Sequence, residues 1–297
     1  MNRLREGSPQ AWLMAMRPKT LPVSIGPVLV GTAVAAAEGQ ARLAPALAAA
    51  LGALLLQIGS NFANDVYDFE KGADTQDRIG PPRASQLGLL SPAALKRGMA
   101  LVFALAVLVG SYLSFVAGPF IIAVGLVSIV AAIAYTGGPW PLGYHGLGDL
   151  AVFLFFGLVA VVGTTFVQTG TLPMLAWSAA IPVGFLATAI LVVNNLRDIE
   201  TDKRVGKRTL AVRFGRRGTR LQWATLVAGA YLMTLFIWWG FDLDLWVLLP
   251  WATAPRALSL WRAISTSEDG PVLNQALAGT AQLGVFFSLL FAVGIWV

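Results

Sequence analysis

The sequence predicts an all-α, polytopic membrane protein of about nine transmembrane helices, and three observations support this prediction. Of its 297 residues, 57% are apolar and only 12% are charged, whereas about a quarter of an average globular chain is charged. Apolar runs of about 20 residues recur along nearly the whole chain, and each is long enough to cross the hydrocarbon core as a helix. Basic residues fall almost entirely on one side of these runs. A water-soluble enzyme is therefore excluded.

The predicted spans follow apolar runs that end at charged residues, glycine or proline. They comprise residues 21–37, 43–63, 99–117, 119–135, 147–167, 174–193, 223–239, 243–260 and 276–297. The eighth is the weakest because Pro250, Pro255 and Arg256 interrupt it, although neighbouring helices can satisfy the carbonyls that an internal proline frees. We expect residues 1–297 to form a single transmembrane domain.

The distribution of basic residues predicts the orientation. All but one of the 21 lysines and arginines lie in the amino-terminal segment or follow an even-numbered span, and Arg42 alone lies on the other side. The positive-inside rule therefore places the amino terminus in the cytoplasm. The net charge of +6 thus reflects topology in a lipid bilayer, and we expect no nucleic-acid partner. Because the chain has no cysteine and only His145, metal sites built from these residues are excluded.

Two acidic clusters follow the second and sixth predicted spans. The first contains Asp65, Asp68 and Glu70, and the second contains Asp198 and Asp202 with an intervening glutamate. At an offset of 130 residues, segment 64–70 matches segment 194–200 in its Asn and Asp positions. An even number of spans separates the copies, so both leave the membrane on the same face. The pattern predicts a parallel internal repeat, with its motifs near residues 61–83 and 194–210.

The spacing within each cluster predicts a metal site. Positions i and i+4 of a helix share a face, so Asn64 with Asp68, and Asp198 with Asp202, each project oxygen atoms in one direction. Facing one another without a counter-ion, these carboxylates would repel. Mg²⁺ prefers oxygen ligands and usually binds a few carboxylates together with substrate phosphates. The alternative, that the acids cap helices or pair with nearby arginines, is disfavoured by the duplication of the pattern.

Basic residues after each cluster indicate a second kind of ligand. Arg78 and Arg83 follow the first cluster, and Lys203 and Lys207 follow the second. Carboxylates for Mg²⁺ and basic side chains for the remaining phosphate oxygens together describe a diphosphate site. The apolar bundle predicts that this diphosphate carries a lipid tail.

At these residues the sequence resembles the UbiA superfamily of intramembrane aromatic prenyltransferases. Segments 64–68 and 198–202 are similar to its two acidic motifs. Segments 17–22, 77–81, 135–139, 142–149 and 206–210 resemble the branch that prenylates 1,4-dihydroxy-2-naphthoate in menaquinone synthesis, the MenA branch. The resemblance covers roughly residues 12–290 and implies a UbiA-like bundle around a central cavity.

The resemblance also implies roles for individual residues. The implied ligands of Mg²⁺, as two ions bound with the diphosphate, are Asn64, Asp65, Asp68, Asp74, Asp198 and Asp202, with Asp65 and Asp74 as supporting acids. The implied diphosphate-binding residues are Lys19, Arg78, Arg83, Lys203 and Lys207. Many members carry an acid four residues after the first motif, where this chain has Gly72, and whether Asp74 replaces it stays open.

Two further side chains are candidates for the chemistry, alongside the carboxylates of Asp68, Asp198 and Asp202. The face of Tyr135 could stabilise an allyl cation by a cation–π interaction. Asp149 lies just inside the fifth span, where an ionisable group is a functional candidate, although a helix dipole would also favour an acid there.

The implied reaction is Mg²⁺-dependent transfer of a polyprenyl group from polyprenyl diphosphate to 1,4-dihydroxy-2-naphthoate, with loss of carbon dioxide and diphosphate, at the cytoplasmic side of the cell membrane. One alternative is an enzyme of the same family with another aromatic acceptor, 4-hydroxybenzoate or homogentisate. Another is a transporter, which would place its binding groups near the bilayer midplane on broken helices. The acidic clusters lie at span ends, which disfavours a transporter.

Overall fold

A computed structural model describes residues 5–73 and 79–297, and the regular structure in these ranges is entirely helical. Asp74 and Arg78, two of the predicted site residues, lie outside the described residues. The α-helices are α1 (Pro9–Met16), α2 (Leu21–Ala37), α3 (Leu43–Glu70), α4 (Pro92–Ala117), α5 (Phe120–Ala134), α6 (Gly148–Val152), α7 (Ala160–Thr169), α8 (Met174–Arg197), α9 (Ile199–Arg204), α10 (Leu210–Gly240), α11 (Ala254–Thr266) and α12 (Gly270–Trp296). Short 3₁₀ helices cover Pro18–Thr20, Leu142–His145 and Leu245–Thr253, and a π-helix covers Phe153–Val159.

Capping residues account for several helix boundaries. Ser91 begins α4 by accepting a hydrogen bond from the Ala94 amide, and Thr209 begins α10 in the same way. Gly118 and Gly170 end α4 and α7 with positive φ angles, which glycine adopts without steric cost. A further positive φ, +67° at Gly215, bends α10 near its start.

Seven helical stretches in the described ranges are long and apolar enough to cross a membrane, and α5 is a shorter apolar helix. The chain is therefore a multi-pass membrane protein. The predicted eighth span is divided, because residues 245–253 form a 3₁₀ helix and α11 begins only at Ala254. Pro250 lacks the amide hydrogen that an α-helix requires, and Pro255 occupies the first turn of α11, where proline is tolerated. The predicted total of nine spans stays a prediction.

Helix α3 continues past residue 63, where the second span was predicted to end. Its 28 residues extend for about 42 Å, which exceeds a hydrocarbon core of about 30 Å. Asp65 and Asp68 were expected to follow the span, but they lie within this helix, where they are 1% and 2% exposed. The first acidic motif is therefore held on rigid backbone near one end of the bundle.

The middle of the bundle is formed by α8, which packs against α2, α10, α12 and the π-helix. Its backbone comes very close to the π-helix: a Cβ atom added to Gly157 would lie 2.8 Å from the Cα of Gly184. Glycines at such crossings allow helices to approach closely in membranes. This contact fixes α8, which ends directly before the second acidic motif, against the segment that begins with α6.

Connections that were predicted to share one side of the membrane contact one another. The Lys71 ammonium, just after α3, donates to the Thr136 carbonyl after α5 at 2.6 Å. The Arg208 amide, before α10, donates to the Tyr144 carbonyl at 2.8 Å. The two acidic motifs therefore leave the bundle at the same end, as the even number of intervening spans predicted.

Candidate active site

The carboxylate of Asp68 joins three separate segments of the chain. Its Oδ2 accepts a hydrogen bond from Arg83 Nη2 at 2.9 Å, and its Oδ1 accepts one from the Tyr144 hydroxyl at 2.8 Å. The Lys207 ammonium lies 3.3 Å from the same Oδ1. Because Asp68 is buried at this junction, its ion pairs are shielded from water, and their electrostatic attraction is stronger than that of surface pairs.

Lys207 connects the second acidic motif to this junction. Its ammonium lies 3.9 Å from Asp202 Oδ1, and its main-chain amide donates to the Asp202 carbonyl at 2.9 Å. Burial raises the pKa of the Asp202 carboxyl to about 6, although the positive charge of Lys207 acts to lower it. The carboxylates of Asp198 and Asp68 raise this pKa further. The two motifs, 130 residues apart, therefore form one cluster.

The donor chemistry of the cluster fits a hard cation, although its carboxylates face basic side chains. Among the described residues, no three Asp, Glu or His side chains are arranged as a ready metal site. Lys207 instead lies against both Asp68 and Asp202, and Arg197 pairs with Asp198. Carboxylate and amide oxygens are ligands that Mg²⁺ accepts. Cation binding would therefore require Lys207 to take another anionic partner, and phosphate oxygens supply one.

Asn64 lies one helical turn before Asp68, on the same face of α3, as predicted. Its side-chain oxygen accepts a hydrogen bond from the Thr136 hydroxyl at 3.0 Å, and its main-chain oxygen accepts one from Arg83 Nη1. Asn64 and Asp68 are thus bound to the same guanidinium. Asn64 therefore lies at the border of the cluster.

Asp65, predicted as a supporting acid of the metal site, binds protein donors with its carboxylate. Its carboxylate accepts hydrogen bonds from the Ala84 and Ser85 amides, each at 3.3 Å, and from the Ser85 hydroxyl. These donors occupy both oxygen atoms of a side chain that is 1% exposed. Asp65 therefore supports the site indirectly, by anchoring the turn that carries Arg83.

The structure brings only part of the predicted diphosphate-binding set to the cluster. Arg83 and Lys207 contact it directly. Lys19 and Lys203 are exposed, and neither forms an ion pair with another residue in the described part of the chain. Arg78 lies outside the described residues.

Tyr144 was not among the predicted site residues, yet it lies at the centre of the cluster. Besides its bond to Asp68, it contacts two ammonium groups with its ring, Nζ of Lys71 and of Lys207 lying 4.8 and 4.6 Å from the ring centroid. Such cation–π contacts stabilise lysines that are partly removed from water. The Gly-Tyr turn at residues 143–144 was the available sequence signal.

Tyr135, the predicted stabiliser of an allyl cation, lies beside the cluster in a space made by two glycines. A Cβ atom added to Gly148 would lie 2.9 Å from the Tyr135 hydroxyl, and one added to Gly143 would lie 3.2 Å from its ring. The hydroxyl is within electrostatic range of the carboxylates of Asp149, Asp68 and Asp202. The glycines in segment 142–149 therefore accommodate an aromatic ring next to the acidic motifs.

Asp149 lies in the first turn of α6 and is 7% exposed. Its Oδ1 makes no hydrogen bond within the described residues. A buried polar atom without a partner costs free energy, so such an atom is typically completed by a ligand or water. The structure thus keeps Asp149 available for an added hydrogen-bond donor.

The apolar helices and this acid–base cluster define a class of protein: a multi-pass helical membrane protein with a charged ligand site at one end of its bundle. A profile of the family described as the UbiA prenyltransferase family matches residues 24–290. The chain therefore belongs to the UbiA prenyltransferase family, and it is a prenyltransferase. The resemblance noted in the sequence is confirmed.

Relatives and a solved structure agree with this assignment. The chain is 40% identical over 294 residues to an Escherichia coli (strain K12) protein named 1,4-dihydroxy-2-naphthoate octaprenyltransferase, covering 97% of this chain and 95% of that protein. It is 38% identical over 281 residues to the protein of the same name from Mycobacterium tuberculosis, covering 95% of each. A UbiA homologue from Archaeoglobus fulgidus, solved with DMAPP and Mg²⁺ bound, has a TM-score of 0.67 at 15% identity and shares the fold over 95% of this chain and 99% of that one.

Proposed function

We propose that this chain transfers a polyprenyl group from polyprenyl diphosphate to 1,4-dihydroxy-2-naphthoate, releasing diphosphate and carbon dioxide and giving the 2-prenyl-1,4-dihydroxynaphthalene, the reduced form of demethylmenaquinone. The observation that carries the proposal is the meeting of Asp68, Asp202, Arg83 and Lys207 in one cluster beside an apolar bundle. The names of the two bacterial relatives support the acceptor. The Archaeoglobus homologue, bound to DMAPP and Mg²⁺, supports the donor and the metal.

Four side chains would hold Mg²⁺ in this proposal: Asn64, Asp68, Asp198 and Asp202. When bound, two Mg²⁺ ions would neutralise the negative charge that develops on the departing diphosphate oxygens. Asp74 and Asp65 support these ligands, the latter through the turn that carries Arg83.

The basic residues bind the diphosphate. Arg83 and Lys207 turn from Asp68 towards the phosphate oxygens, with which a guanidinium and an ammonium form strong charge-assisted hydrogen bonds. We also assign Arg78, Lys19 and Lys203 to diphosphate binding, as the family resemblance implies. The exchange of partners leaves each charged group of the cluster paired after binding as well as before it.

Breaking the allylic carbon–oxygen bond leaves an allyl cation, with the bonding electrons on the diphosphate. The Tyr135 ring would stabilise this cation by about 0.5 to 2 kcal/mol, and the apolar bundle keeps water from it. The acceptor attacks through the ring carbon that bears its carboxylate, and carbon dioxide leaves as the ring regains aromaticity. The unpartnered oxygen of Asp149 would accept a hydrogen bond from an acceptor hydroxyl.

The side of the membrane follows from charge. The cluster lies at the end of the bundle where basic residues concentrate, which the positive-inside rule assigns to the cytoplasm. We therefore place the active site at the cytoplasmic face of the cell membrane.

The acceptor can be tested directly with purified protein. A labelled prenyl diphosphate is offered with 1,4-dihydroxy-2-naphthoate, 4-hydroxybenzoate or homogentisate, in Mg²⁺ and in excess chelator, and the product mass is measured. We expect prenylated product that has lost carbon dioxide from the naphthoate alone, and none with chelator. Product from hydroxybenzoate or homogentisate only would assign another acceptor, and unchanged turnover in chelator would remove the metal.

A further inference from the structure

Arg197, the last residue of α8, is a charged side chain that the proposed reaction does not use. It is only 3% exposed. Its Nε donates to Asp198 Oδ1 at 2.7 Å, and its Nη2 donates to Asn194 Oδ1 at 2.8 Å and to the second oxygen of Asp198. One guanidinium thus orients the first acid of the second motif and the asparagine one turn before it.

The remaining nitrogen of this guanidinium points to a different part of the chain. Nη1 donates to the side-chain oxygen of Asn274, near the start of α12, at 2.7 Å. The Asn274 amide nitrogen in turn donates to the Ile79 carbonyl at 3.1 Å. The backbone of Gly80 lies against the guanidinium, where an added Cβ atom would be 3.0 Å from Nη2.

A continuous set of hydrogen bonds therefore runs from Asp198 through Arg197 and Asn274 to Ile79. It links the second motif to the chain that follows the first motif and precedes Arg83. A planar guanidinium with five donors in a fixed geometry can hold all of these acceptors at once, whereas an ammonium cannot. Since Asp198 is a proposed ligand, its orientation depends on this set.

We propose that Arg197 and Asn274 are positioning residues, which fix the Asp198 carboxylate relative to the segment at Ile79 and balance its charge until a cation binds. This inference rests on the proposed function and adds to it the means by which the two motifs are held in register. Neither residue contacts the reacting atoms; Asn274 acts only through Arg197 and Ile79.

The first test is a double-mutant cycle on the full-length protein. Asn274→Ala should lower kcat/KM about tenfold, because a hydrogen bond to a buried charge is lost. In an Arg197→Gln background, the same substitution should change kcat/KM by no more than about twofold, since its route to Asp198 is already broken. If Asn274→Ala lowers kcat/KM by the same factor in the wild-type and Arg197→Gln backgrounds, the inference is overturned.

Gln282→Ala is the matched control for Asn274→Ala. Gln282 lies on the same helix, α12, and its amide also accepts a hydrogen bond from an arginine, Arg256, but at the exposed surface away from the cluster. We expect this variant to keep wild-type kcat/KM. A loss equal to that of Asn274→Ala would attribute the effect to α12 in general and contradict a positioning role.

A second test measures Mg²⁺ binding by calorimetry in the absence of both substrates. Arg197→Gln removes the charge that balances Asp198, so Mg²⁺ should bind about tenfold more tightly while turnover falls. Arg197→Lys keeps the charge but not the geometry, so its Mg²⁺ affinity should match wild type while turnover is still reduced. If affinity, turnover and melting temperature all fall together in both variants, Arg197 is merely structural.

This test separates the inference from the proposed function. Metal binding and melting temperature require no acceptor, so they report on Arg197 even if 1,4-dihydroxy-2-naphthoate is not prenylated. Conversely, suppose that the wild-type enzyme prenylates the naphthoate while the Asn274→Ala and Arg197→Gln effects on kcat/KM simply add. That result would reject the positioning role and leave the proposed reaction intact.

Discussion

Tyr144 carries contacts to both acidic motifs through one side chain. Its hydroxyl donates a hydrogen bond to Asp68 of the first motif. Its ring forms a cation–π contact with Lys207, which pairs with Asp202 of the second motif. A phenol at this position can therefore orient a carboxylate and a cation simultaneously. Removing the hydroxyl separates these two roles, because the ring remains.

We predict that Tyr144→Phe lowers kcat/KM by about tenfold or more, since a hydrogen bond to a charged group contributes about 1.5 to 3 kcal/mol. Steady-state kinetics with both substrates measures the effect. Tyr231→Phe is the control, because its hydroxyl bonds Thr253 at 2.7 Å, with no contact to the cluster. Wild-type kinetics for Tyr144→Phe would show that this hydrogen bond has no role in turnover.

Spacing in the sequence predicts some of these residues and misses others for a physical reason. Asn64 and Asp68 share a helix face, so their joint position follows from the local geometry. The direction of Asp65 depends on a turn that folds back from residues 84–85, and nothing local indicates it. Asn274 contacts a carbonyl 195 residues earlier in the chain, which only tertiary packing determines.

At the scale of elements, glycines decide how closely side chains and helices approach the site. The segment from Tyr135 to α6 is an example, since Gly148 leaves room for the Tyr135 hydroxyl. The sequence displays these glycines but not the ring that each one faces. Their role becomes visible only when the folded chain brings Tyr135, at the end of α5, against Gly148, at the start of α6.

We predict that Gly148→Ala destabilises the protein by about 1 to 3 kcal/mol, because the new methyl group would overlap the Tyr135 hydroxyl. The second variant, Tyr135→Phe, removes that hydroxyl, and the added carbon then lies 3.5 Å from Leu191 Cδ2 and from the aromatic ring, which is ordinary van der Waals contact. The double variant should therefore recover most of the lost stability. Thermal unfolding in detergent measures all three proteins, and a double variant as unstable as Gly148→Ala would contradict this contact.

The crossing of the π-helix and α8 gives a second prediction about elements. Gly157→Ala would place a methyl group 2.8 Å from the backbone of Gly184, so it should destabilise the bundle by about 1 to 3 kcal/mol. Gly163→Ala, in the adjoining α7, meets nothing within 4 Å and should be neutral or slightly stabilising. Equal melting temperatures for the two variants would argue against a close crossing.

Helix boundaries were predicted well where the end is encoded locally. Helix α2 spans Leu21–Ala37, the bounds expected from its apolar run. Helix α3 continues beyond its apolar run because buried Asp65 and Asp68 find partners in other segments, so polar residues do not end the helix. The divided eighth span reflects Pro250, whose effect on the backbone was visible in the sequence.

At the scale of the whole molecule, the even number of predicted spans between the two motifs was more informative than either motif alone. Four spans were predicted between the motifs, so both were expected to leave at one end, and Asp68 and Asp202 do meet through Lys207. Parity cannot specify which helices are neighbours within the bundle. That depends on close contacts such as Gly157 with Gly184, which have no distinctive pattern in a sequence rich in small residues.

The central claim, that two remote motifs form one Mg²⁺-diphosphate site, is tested most directly by calorimetric titration of the purified protein with pyrophosphate in Mg²⁺. Asp68→Asn and Asp198→Asn, one from each motif, should each weaken binding by about a hundredfold, since each removes a charged ligand. Glu70→Gln is the control, because Glu70 lies on α3 next to the first motif but pairs with exposed Lys96; it should bind like wild type. Wild-type pyrophosphate affinity in either aspartate variant would contradict the account.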